Sequence, residues 1–363
     1  VDRLVTNNHL VFCVIGAGNV GKAMSAYLAA RGYRVHLYNR GKERIANISN
    51  GILLAQGSLR RSIRLEMVTT DLRKAVEGSD IIIVTITSLG HEELMKNLVP
   101  YLVPSQIVVL HPGRVGGALL FKKILSKNNV SNITVIELET SIFAARAENT
   151  HVRIMGIKRR VHGACLPALQ TDRVVSILTG ALPQIVSSPN VLYTGLMNYG
   201  MILHPAPLLF NAARVDLSHV RFRHYIDGIT PSIADFLERM DKERIAVGKA
   251  LDIKLMSTSQ WLSEVYGSNG TNLYEILQNT SPYHSIYAPN TLRHRYIMED
   301  VPNALVPISE LASVLKIDTP LINLVIDMCS SLLKCDFRKT GRTLNKLGIA
   351  NMTKKEIFQY INS

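Results

Sequence analysis

The sequence predicts a two-part protein, an α/β half over residues 1–186 followed by an all-helical half over residues 187–363. Three observations predict it. Short β-branched runs recur through the first half, amphipathic helical segments separate them, and beyond residue 187 the runs stop while the helical apolar period continues.

The strands come first. "LVFCVI" (Leu10–Ile15), "YRVHLY" (Tyr33–Tyr38), "IIIVTIT" (Ile81–Thr87), "QIVVL" (Gln106–Leu110) and "ITVIEL" (Ile133–Leu138) are near-continuously apolar. Such runs belong to a parallel sheet covered by helices on both faces. Between the first two lies "NVGKAMSAYLAARGY", with Val20, Met24, Tyr27 and Leu28 on one helical face and Gly32 suited to the position just past the helix end. "HVRIMGIKRRVHGAC" reads as a hairpin turning around Gly156–Arg159, and "PQIVSSPN" (Pro183–Asn190) as the last strand with its exit. In the second half, Thr230 and Pro231 make an N-cap and first-turn pair for "TPSIADFLERMDKERIAVGKALDI". "PISELASVLKI" and "PLINLVIDMCSSLL" carry the same period, and "NMTKKEIFQYINS" predicts a terminal helix capped by Thr353. That last helix can dock on its own domain or on a second copy, so a homodimer is one expectation.

A chain of 363 residues with 47% hydrophobic and 19% charged residues can bury two cores, which excludes a disordered protein. No uninterrupted apolar run is long enough to span a bilayer, and no membrane association is expected. The opening stretch "VDRLVTNNHL" lacks an apolar segment behind a basic flank, which points to the cytoplasm. Cys13, Cys165, Cys329 and Cys335 form neither a disulfide framework nor a metal-ligand pair, so packing roles in a reducing compartment are expected, and no metal. The net charge of +13 draws anions. Its basic groups, such as "LRRSIR" (Leu59–Arg64) and "KRR" (Lys158–Arg160), are scattered and read as solvated faces, with no signature of nucleic-acid binding. Phosphorylated cofactors and carboxylate substrates use the same field.

Gly16, Gly18 and Gly21 form G-A-G-N-V-G directly after the first strand and at the start of a helix, with Asn19 and Val20 between them. The first glycine permits the tight turn, the second lets backbone approach a pyrophosphate, and the third lets helix pack on strand. The first half is therefore read as a Rossmann dinucleotide-binding domain. At the end of the second strand, "YNRGKER" puts Asn39, Arg40, Lys42 and Arg44 where an acid would hold the ribose hydroxyl of NAD, which predicts NADP as the preferred cofactor. Arg40 stacking on the adenine is the alternative. "HPGRVGGAL" (His111–Leu119) after the fourth strand places Arg114 and backbone N–H groups over the nicotinamide end, and Thr140 and Arg146 of "ELETSIFAAR" face substrate or serve as caps and ion partners.

A dehydrogenase needs a proton donor or acceptor beside the carbon that takes the hydride. His204, in "NYGMILHPAPLLFN" (Asn198–Asn211), is the candidate, against the plainer reading of a satisfied core histidine. Pro205 is suited to begin a new helix segment and so to aim the ring. "RHRYIMEDVP" (Arg293–Pro302) supplies Glu299 or Asp300 to orient the imidazole and Arg295 for a substrate carboxylate.

These blocks resemble the octopine/nopaline, or opine, dehydrogenases over nearly the whole chain: "GAGNVG", "HPGRVGGAL", "ELETSIFAAR", "NYGMILHPAPLLFN", "HYIDGITPSIADFLERMDKERIAVGKAL", "RYIMEDVPNALVPISELASVL" and "DFRKTGRTLNKLG" stand in family order. The resemblance implies a Rossmann domain followed by an all-α domain, and NAD(P)H-dependent condensation of an amino group with a 2-oxo acid such as pyruvate. It implies His204 and Asp300 as the catalytic dyad, Arg295 as the grip on the oxo-acid carboxylate, and Asn198, Thr140 and Arg114 as residues of the substrate site. Arg114 stands where a glutamine is common, and Ala145 where a cysteine can precede the arginine, so the amino substrate stays open. "SPYHSIYAPNTLRHRY" (Ser281–Tyr296) offers His284 and Tyr287 as further lining residues. Two other functions share the layout: an NADP-dependent reductase of 2-oxo or 3-hydroxy acids without amine condensation, similar to ketopantoate reductase, and an NADP-binding sensor without catalysis.

Overall fold

Among the described residues, twelve strands sorted into two sheets carry the first half of the chain. The structure, a computed structural model, describes residues 9–48, 50–217 and 219–362. Most of the stretch "VDRLVTNNHL" lies outside the described residues. The strands are β1 (Val11–Ile15), β2 (Arg34–Tyr38), β3 (Ile52–Gly57), β4 (Arg61–Arg64), β5 (Met67–Thr69), β6 (Ile81–Val84), β7 (Ile107–Leu110), β8 (Thr134–Leu138), β9 (Phe143–Glu148), β10 (His151–Ile157), β11 (Val161–Leu166) and β12 (Ile185–Ser187). The larger sheet has the order β12-β11-β8-β7-β6-β1-β2-β5, parallel throughout except where β11 runs antiparallel to β8. β1, β6 and β7 are buried along their whole length, as their unbroken apolar runs require.

The smaller sheet, ordered β4-β3-β10-β9, corrects one expectation. β10 and β11 do not form a hairpin: β10 pairs with β9 and β3, whereas β11 leaves for the larger sheet between β8 and β12. The hairpin is β9–β10, with Glu148 opposite His151. Strands β3, β4, β5 and β9 were not foreseen, because they are short and half-exposed, so charge and small residues interrupt the apolar signal there. The basic group "LRRSIR" supplies β4, and Arg61 and Arg64 are indeed exposed. β12 lies where the last strand was expected.

The helix Asn19–Ala30 packs against β9 and β10 as well as β1 and β2, and stops at Gly32, whose φ of +88° disfavours any residue with a Cβ. The described residues divide into two compact units, one running to Thr194 and resuming at Phe358, the other Gly195–Ile357. The passage between them falls in the helix Val191–Leu196, where the sequence placed the change after residue 186. The end of the terminal helix Lys354–Asn362 docks on its own chain: Lys122 Nζ donates to Tyr360 O at 2.9 Å and lies 4.2 Å from the Tyr360 ring.

Among the described residues, the second unit contains only helices and loops, apart from one isolated bridge between Arg223 and Tyr287. Its long helix Pro231–Ala250 starts as expected, with Thr230 Oγ1 accepting from Ile233 N. Arg244 in that helix is fully buried, paired with Asp241 at 2.7 Å, and donates to Leu196 O and Met256 O. Each guanidinium nitrogen has a partner, which such a buried pair needs to avoid a large desolvation cost. Helices Arg295–Met298 and Val306–Val314 are joined by a π-helical turn, Val301–Leu305, an insertion often found beside functional groups. Cys13, Cys165 and Cys329 are buried, and burial pushes the Cys165 and Cys329 thiols up to about 12, consistent with packing roles. Among the described residues no helix is long and apolar enough to cross a membrane.

Candidate functional site

At the end of β1 the chain turns through Gly16 at φ +108°, whose N–H donates to Tyr38 O at 2.8 Å. A Cβ on Gly21 would lie 1.6 Å from Gly16 O, so glycine is required for helix and strand to approach. Gly18 caps the helix without any side-chain acceptor, leaving its first turn facing outward as a backbone donor set. This cradle fits the pyrophosphate of a dinucleotide. Asn39 organises it: its Oδ1 accepts from Ala17 N at 3.0 Å and its Nδ2 donates to Gly41 O at 2.8 Å. Val20 is half-buried in the first turn. The Asn19 side chain turns away to the second sheet, where it accepts from Ala147 N at 2.9 Å. Its part in the cradle is structural.

Of the cations after β2, Arg40 pairs with the Glu93 carboxylate at 3.1 Å, with both side chains exposed. Lys42 is exposed, and its carbonyl accepts from Ile45 N and Ala46 N. The Arg44 guanidinium comes nearest the glycines, 3.2 Å from where a Cβ on Gly18 would stand.

The turn after β7 departs from expectation. The helix Gly117–Lys127 does not present all its amides to a ligand, because Ala118 N donates to Glu137 Oε2 at 2.8 Å. Glu137 is fully buried and also accepts from Thr194 Oγ1 at 2.8 Å. Arg114, at φ +61°, is buried rather than spread over an open crevice. Thr140 accepts from Lys158 Nζ at 2.7 Å. Lys158 therefore leaves the solvated "KRR" face predicted for it, while Arg159 and Arg160 stay exposed. Burial, reinforced by Arg114 and opposed by Glu139, lowers the Lys158 ammonium to about 8. Arg146 is exposed on β9 and donates to Ala145 O.

In the second unit the chain breaks between the helices Gly200–Leu203 and Pro205–Phe210, with His204 as the residue between them and Pro205 opening the new helix. His204 Nδ1 stands 2.7 Å from Asp300 Oδ2, and Nε2 stands 3.1 Å from Tyr225 Oη. Asp300 is wholly buried, whereas the His204 side chain keeps 14% exposure. The Tyr296 ring stacks on the imidazole at 4.0 Å and 10°. With a carboxylate at Nδ1, the proton of the neutral ring sits on Nδ1, and the Tyr225 hydroxyl donates to Nε2. Burial keeps that hydroxyl protonated. The pairing of positions 204 and 300 picks Asp300 over Glu299, which lies 3.9 Å from Arg295.

Aromatic rings and a neutral histidine complete the surroundings. His224 is buried, donates from Nε2 to Leu203 O at 3.0 Å, and is pushed down to about 3 by burial and by His204. His294 is lowered to about 4 by burial, then by Arg295 and His204. Tyr283 stacks on Tyr225 at 4.0 Å. His284 and Tyr287 do not join this group: His284 binds Gln278 O, and Tyr287 is exposed beneath Arg221. Tyr225, His224, Tyr296 and Tyr283 went unassigned in the sequence. The visible signal was two histidines each followed closely by tyrosine, "RHYI" and "RHRY". Asn198 is buried, its Oδ1 accepting from Gly200 N, and a Cβ on Gly200 would meet His204 Cε1 at 3.0 Å. Arg295 is half-exposed beside the Tyr296 ring. Among the described residues no group of three or more His, Cys, Asp or Glu side chains converges to hold a metal.

Residues 187–333 match the family described as NAD/NADP octopine/nopaline dehydrogenase, alpha-helical domain, and residues 12–167 match ketopantoate reductase PanE/ApbA. An opine dehydrogenase of Arthrobacter sp. (strain 1C) is 39% identical over 345 residues, 94% of this chain and 96% of its own. Protein ocs of Agrobacterium tumefaciens (strain Ach5) is 24% identical over 96% of this chain and 98% of its own. Among solved structures, octopine dehydrogenase with NADH and L-arginine superposes with a TM-score of 0.78 at 21% identity, covering 96% and 98% of the two chains. NADP+-bound yersinopine dehydrogenase gives 0.74 at 16% identity, covering 98% and 99%. These two structural likenesses concern the fold.

Proposed function

Because the chain belongs to the octopine/nopaline, or opine, dehydrogenase family, we propose that it joins an amino acid or other amine to a 2-oxo acid such as pyruvate, with NADPH preferred over NADH. It is an NAD(P)-dependent oxidoreductase acting on CH–NH donors. The observation that carries the reading is the 2.7 Å pairing of His204 with a wholly buried Asp300, clamped by Tyr296 and Tyr225.

The amine adds to the oxo-acid carbonyl, and the carbinolamine loses water to give an imine. Bound NAD(P)H would supply the hydride to the carbon of this C=N, and a proton taken up from solvent at its nitrogen completes the secondary amine. The protein moves protons and holds charge. His204 Nε2 takes the proton from the attacking amine and returns it to the departing hydroxyl, while the Asp300 carboxylate keeps Nδ1–H in place and offsets the ring's positive charge. Tyr225 donates to Nε2 when the ring is neutral and accepts from it when charged. Tyr296 fixes the ring plane by stacking. Arg295, in a 3.9 Å ion pair with Glu299, turns to grip the oxo-acid carboxylate. Asn198 holds the Gly200 turn against the ring, and Thr140 and Arg114 act on the amino substrate.

For the cofactor, Gly16, Gly18, Gly21, Asn39 and the backbone of Asn19 and Val20 hold the pyrophosphate turn. Arg40 and Lys42 receive the 2′-phosphate. The exposed Arg40–Glu93 pair is worth only about 0–1 kcal/mol, so exchange for a phosphate costs little. Unpaired, mostly buried cysteines fit a cytoplasmic enzyme.

The match of residues 12–167 to ketopantoate reductase favours a second reading, oxo-acid reduction without amine. The helical lysines that such a reaction would draw on, Lys242 and Lys249, are exposed. The test follows NADPH and NADH oxidation with pyruvate, 2-oxoglutarate and glyoxylate, each with and without a panel of amino acids. Turnover that requires the amine supports the condensation, and oxidation independent of it refutes the condensation in favour of the second reading.

A further inference from the structure

The turn that follows β2 is pinned to the core of its unit by the buried side chains of Ile45 and Ile48. It is also closed on itself, with Ile45 N and Ala46 N donating to Lys42 O at 3.0 and 2.8 Å. From this fixed backbone two polar side chains reach outward. Asn47 Nδ2 donates to Asn149 Oδ1 at 2.7 Å in the β9–β10 turn, while the Arg44 guanidinium crosses to the glycine turn, where Nη1 stands 3.2 Å from the place of a Cβ on Gly18. Position 18 lacks a Cβ for a reason. The second glycine of such a turn clears space for a pyrophosphate to approach the backbone, and Arg44 stands at the border of that space.

Lys22, one turn along the helix from Gly18, brings a second cation to the same place. It is buried, and its Nζ donates to Asn149 O at 2.7 Å. Burial, and then the Arg44 charge, lowers its ammonium below the usual lysine range. The acids of the neighbourhood are engaged or turned elsewhere: Glu93 pairs with Arg40, the Glu43 carboxylate lies against Gly41, and Glu148 at the end of β9 is exposed. Among the described residues no ion pair joins a carboxylate to Arg44 or to Lys22. A planar fork placed so can take two oxygens of a phosphate.

We propose that Arg44 is a cofactor-binding residue that clamps the pyrophosphate of the dinucleotide against the glycine turn, with Lys22 adding to the positive potential there. The inference rests on the dinucleotide site proposed above and divides the work among its cations. Arg44 acts on a group that NADH and NADPH share, whereas Arg40 and Lys42 act on the 2′-phosphate that NADPH alone carries.

The experiment measures binding without turnover. Dissociation constants of NADPH and NADH are taken from nicotinamide fluorescence, and those of ADP and adenosine 2′-monophosphate from calorimetry, since ADP keeps the pyrophosphate and the 2′-monophosphate lacks it. Arg44→Gln raises Kd for NADPH, NADH and ADP alike by about 10–100-fold, the loss of a charge-assisted contact. Binding of the 2′-monophosphate, and the ratio of the NADPH and NADH constants, stay as in the wild type. Arg44 is exposed, so the unfolding midpoint of the variant also stays in place and a loss of binding is not a loss of fold. Arg60→Gln removes an equal charge from the exposed "LRRSIR" face and leaves all four constants unchanged. A loss confined to NADPH and the 2′-monophosphate assigns Arg44 to the 2′-phosphate and overturns the clamp. No loss for any ligand, or an equal loss in Arg60→Gln, overturns it as well. Wild-type protein that binds neither NADH nor NADPH defeats the dinucleotide site itself, a result that is read before any variant is made.

Discussion

Asp300→Asn tests the proposed chemistry most directly. Asp300 is fully buried and 2.7 Å from His204 Nδ1, and asparagine has nearly the same shape and keeps an oxygen that can accept the Nδ1–H bond. What it removes is the negative charge. In the reaction that charge matters only while the ring carries its second proton, so the loss falls on kcat. A hydrogen bond to a charged partner contributes about 1.5–3 kcal/mol, against about 0.5–1.5 kcal/mol for a neutral one. The difference of about 1–2 kcal/mol corresponds to a slowing of roughly 5–30-fold. His204→Ala, which removes the proton carrier itself, sets the ceiling at roughly 10²–10⁴-fold. Tyr296 and Tyr225 hold the ring from its other sides, so the KM for the oxo acid stays within about threefold if uniform binding is untouched. The assay is steady-state NADPH oxidation with saturating oxo acid and amine, run for both single variants and the double variant. Because the two side chains act as one unit, the double variant is no slower than His204→Ala alone. If Asp300→Asn left kcat unchanged, or if the two losses multiplied, the dyad would be wrong.

Other expectations follow from particular contacts. Gly21→Ala places a Cβ 1.6 Å from Gly16 O and lowers both the unfolding midpoint and NADPH affinity, measured by thermal melting and nicotinamide fluorescence. Gly32→Ala, which meets no neighbour but keeps a φ of +88°, costs only about 1 kcal/mol and leaves affinity intact, so equal effects at the two sites would remove the pyrophosphate role. Arg40→Asp weakens NADPH binding roughly 10–100-fold, the loss of a charge-assisted contact to the 2′-phosphate, and changes NADH binding far less in a fluorescence titration; parallel losses would contradict the preference. His224, neutral down to about pH 3 when folded, binds its proton near 6.5 once unfolded, so the unfolded state gains protons first and stability falls as pH drops below 6.5. Between pH 7.5 and 5 its share is about 2 kcal/mol, and His224→Gln, which keeps a donor for Leu203 O, flattens the denaturant-derived stability profile by that amount. An unchanged slope would mean that another group carries it.

Legibility along the chain followed burial. β1, β6 and β7 are buried on both faces, so their sequences had to be apolar throughout and could be read directly. β9 alternates buried and exposed residues and includes three alanines and an arginine opposite Arg153, a pattern with no strong period. The small sheet was therefore hidden, and with it the true partner of β10. The glycine turn was readable because Gly16 and Gly21 have no substitute at their backbone positions. Lys158 was misread because a lysine beside two arginines looks the same in sequence whether it faces water or Thr140.

By itself the sequence determined the order of the two architectures, the dinucleotide turn and the choice of His204 as the candidate proton carrier, since local backbone demands and side-chain chemistry suffice for these. The tertiary structure alone decided which carboxylate meets the imidazole, that two distant His-Tyr pairs close around it, and that Arg114 is buried and Lys158 half-buried against Thr140. Distances between residues 204 and 300, like the desolvation of a charged group, depend on packing between segments far apart in the chain, and no local pattern records them.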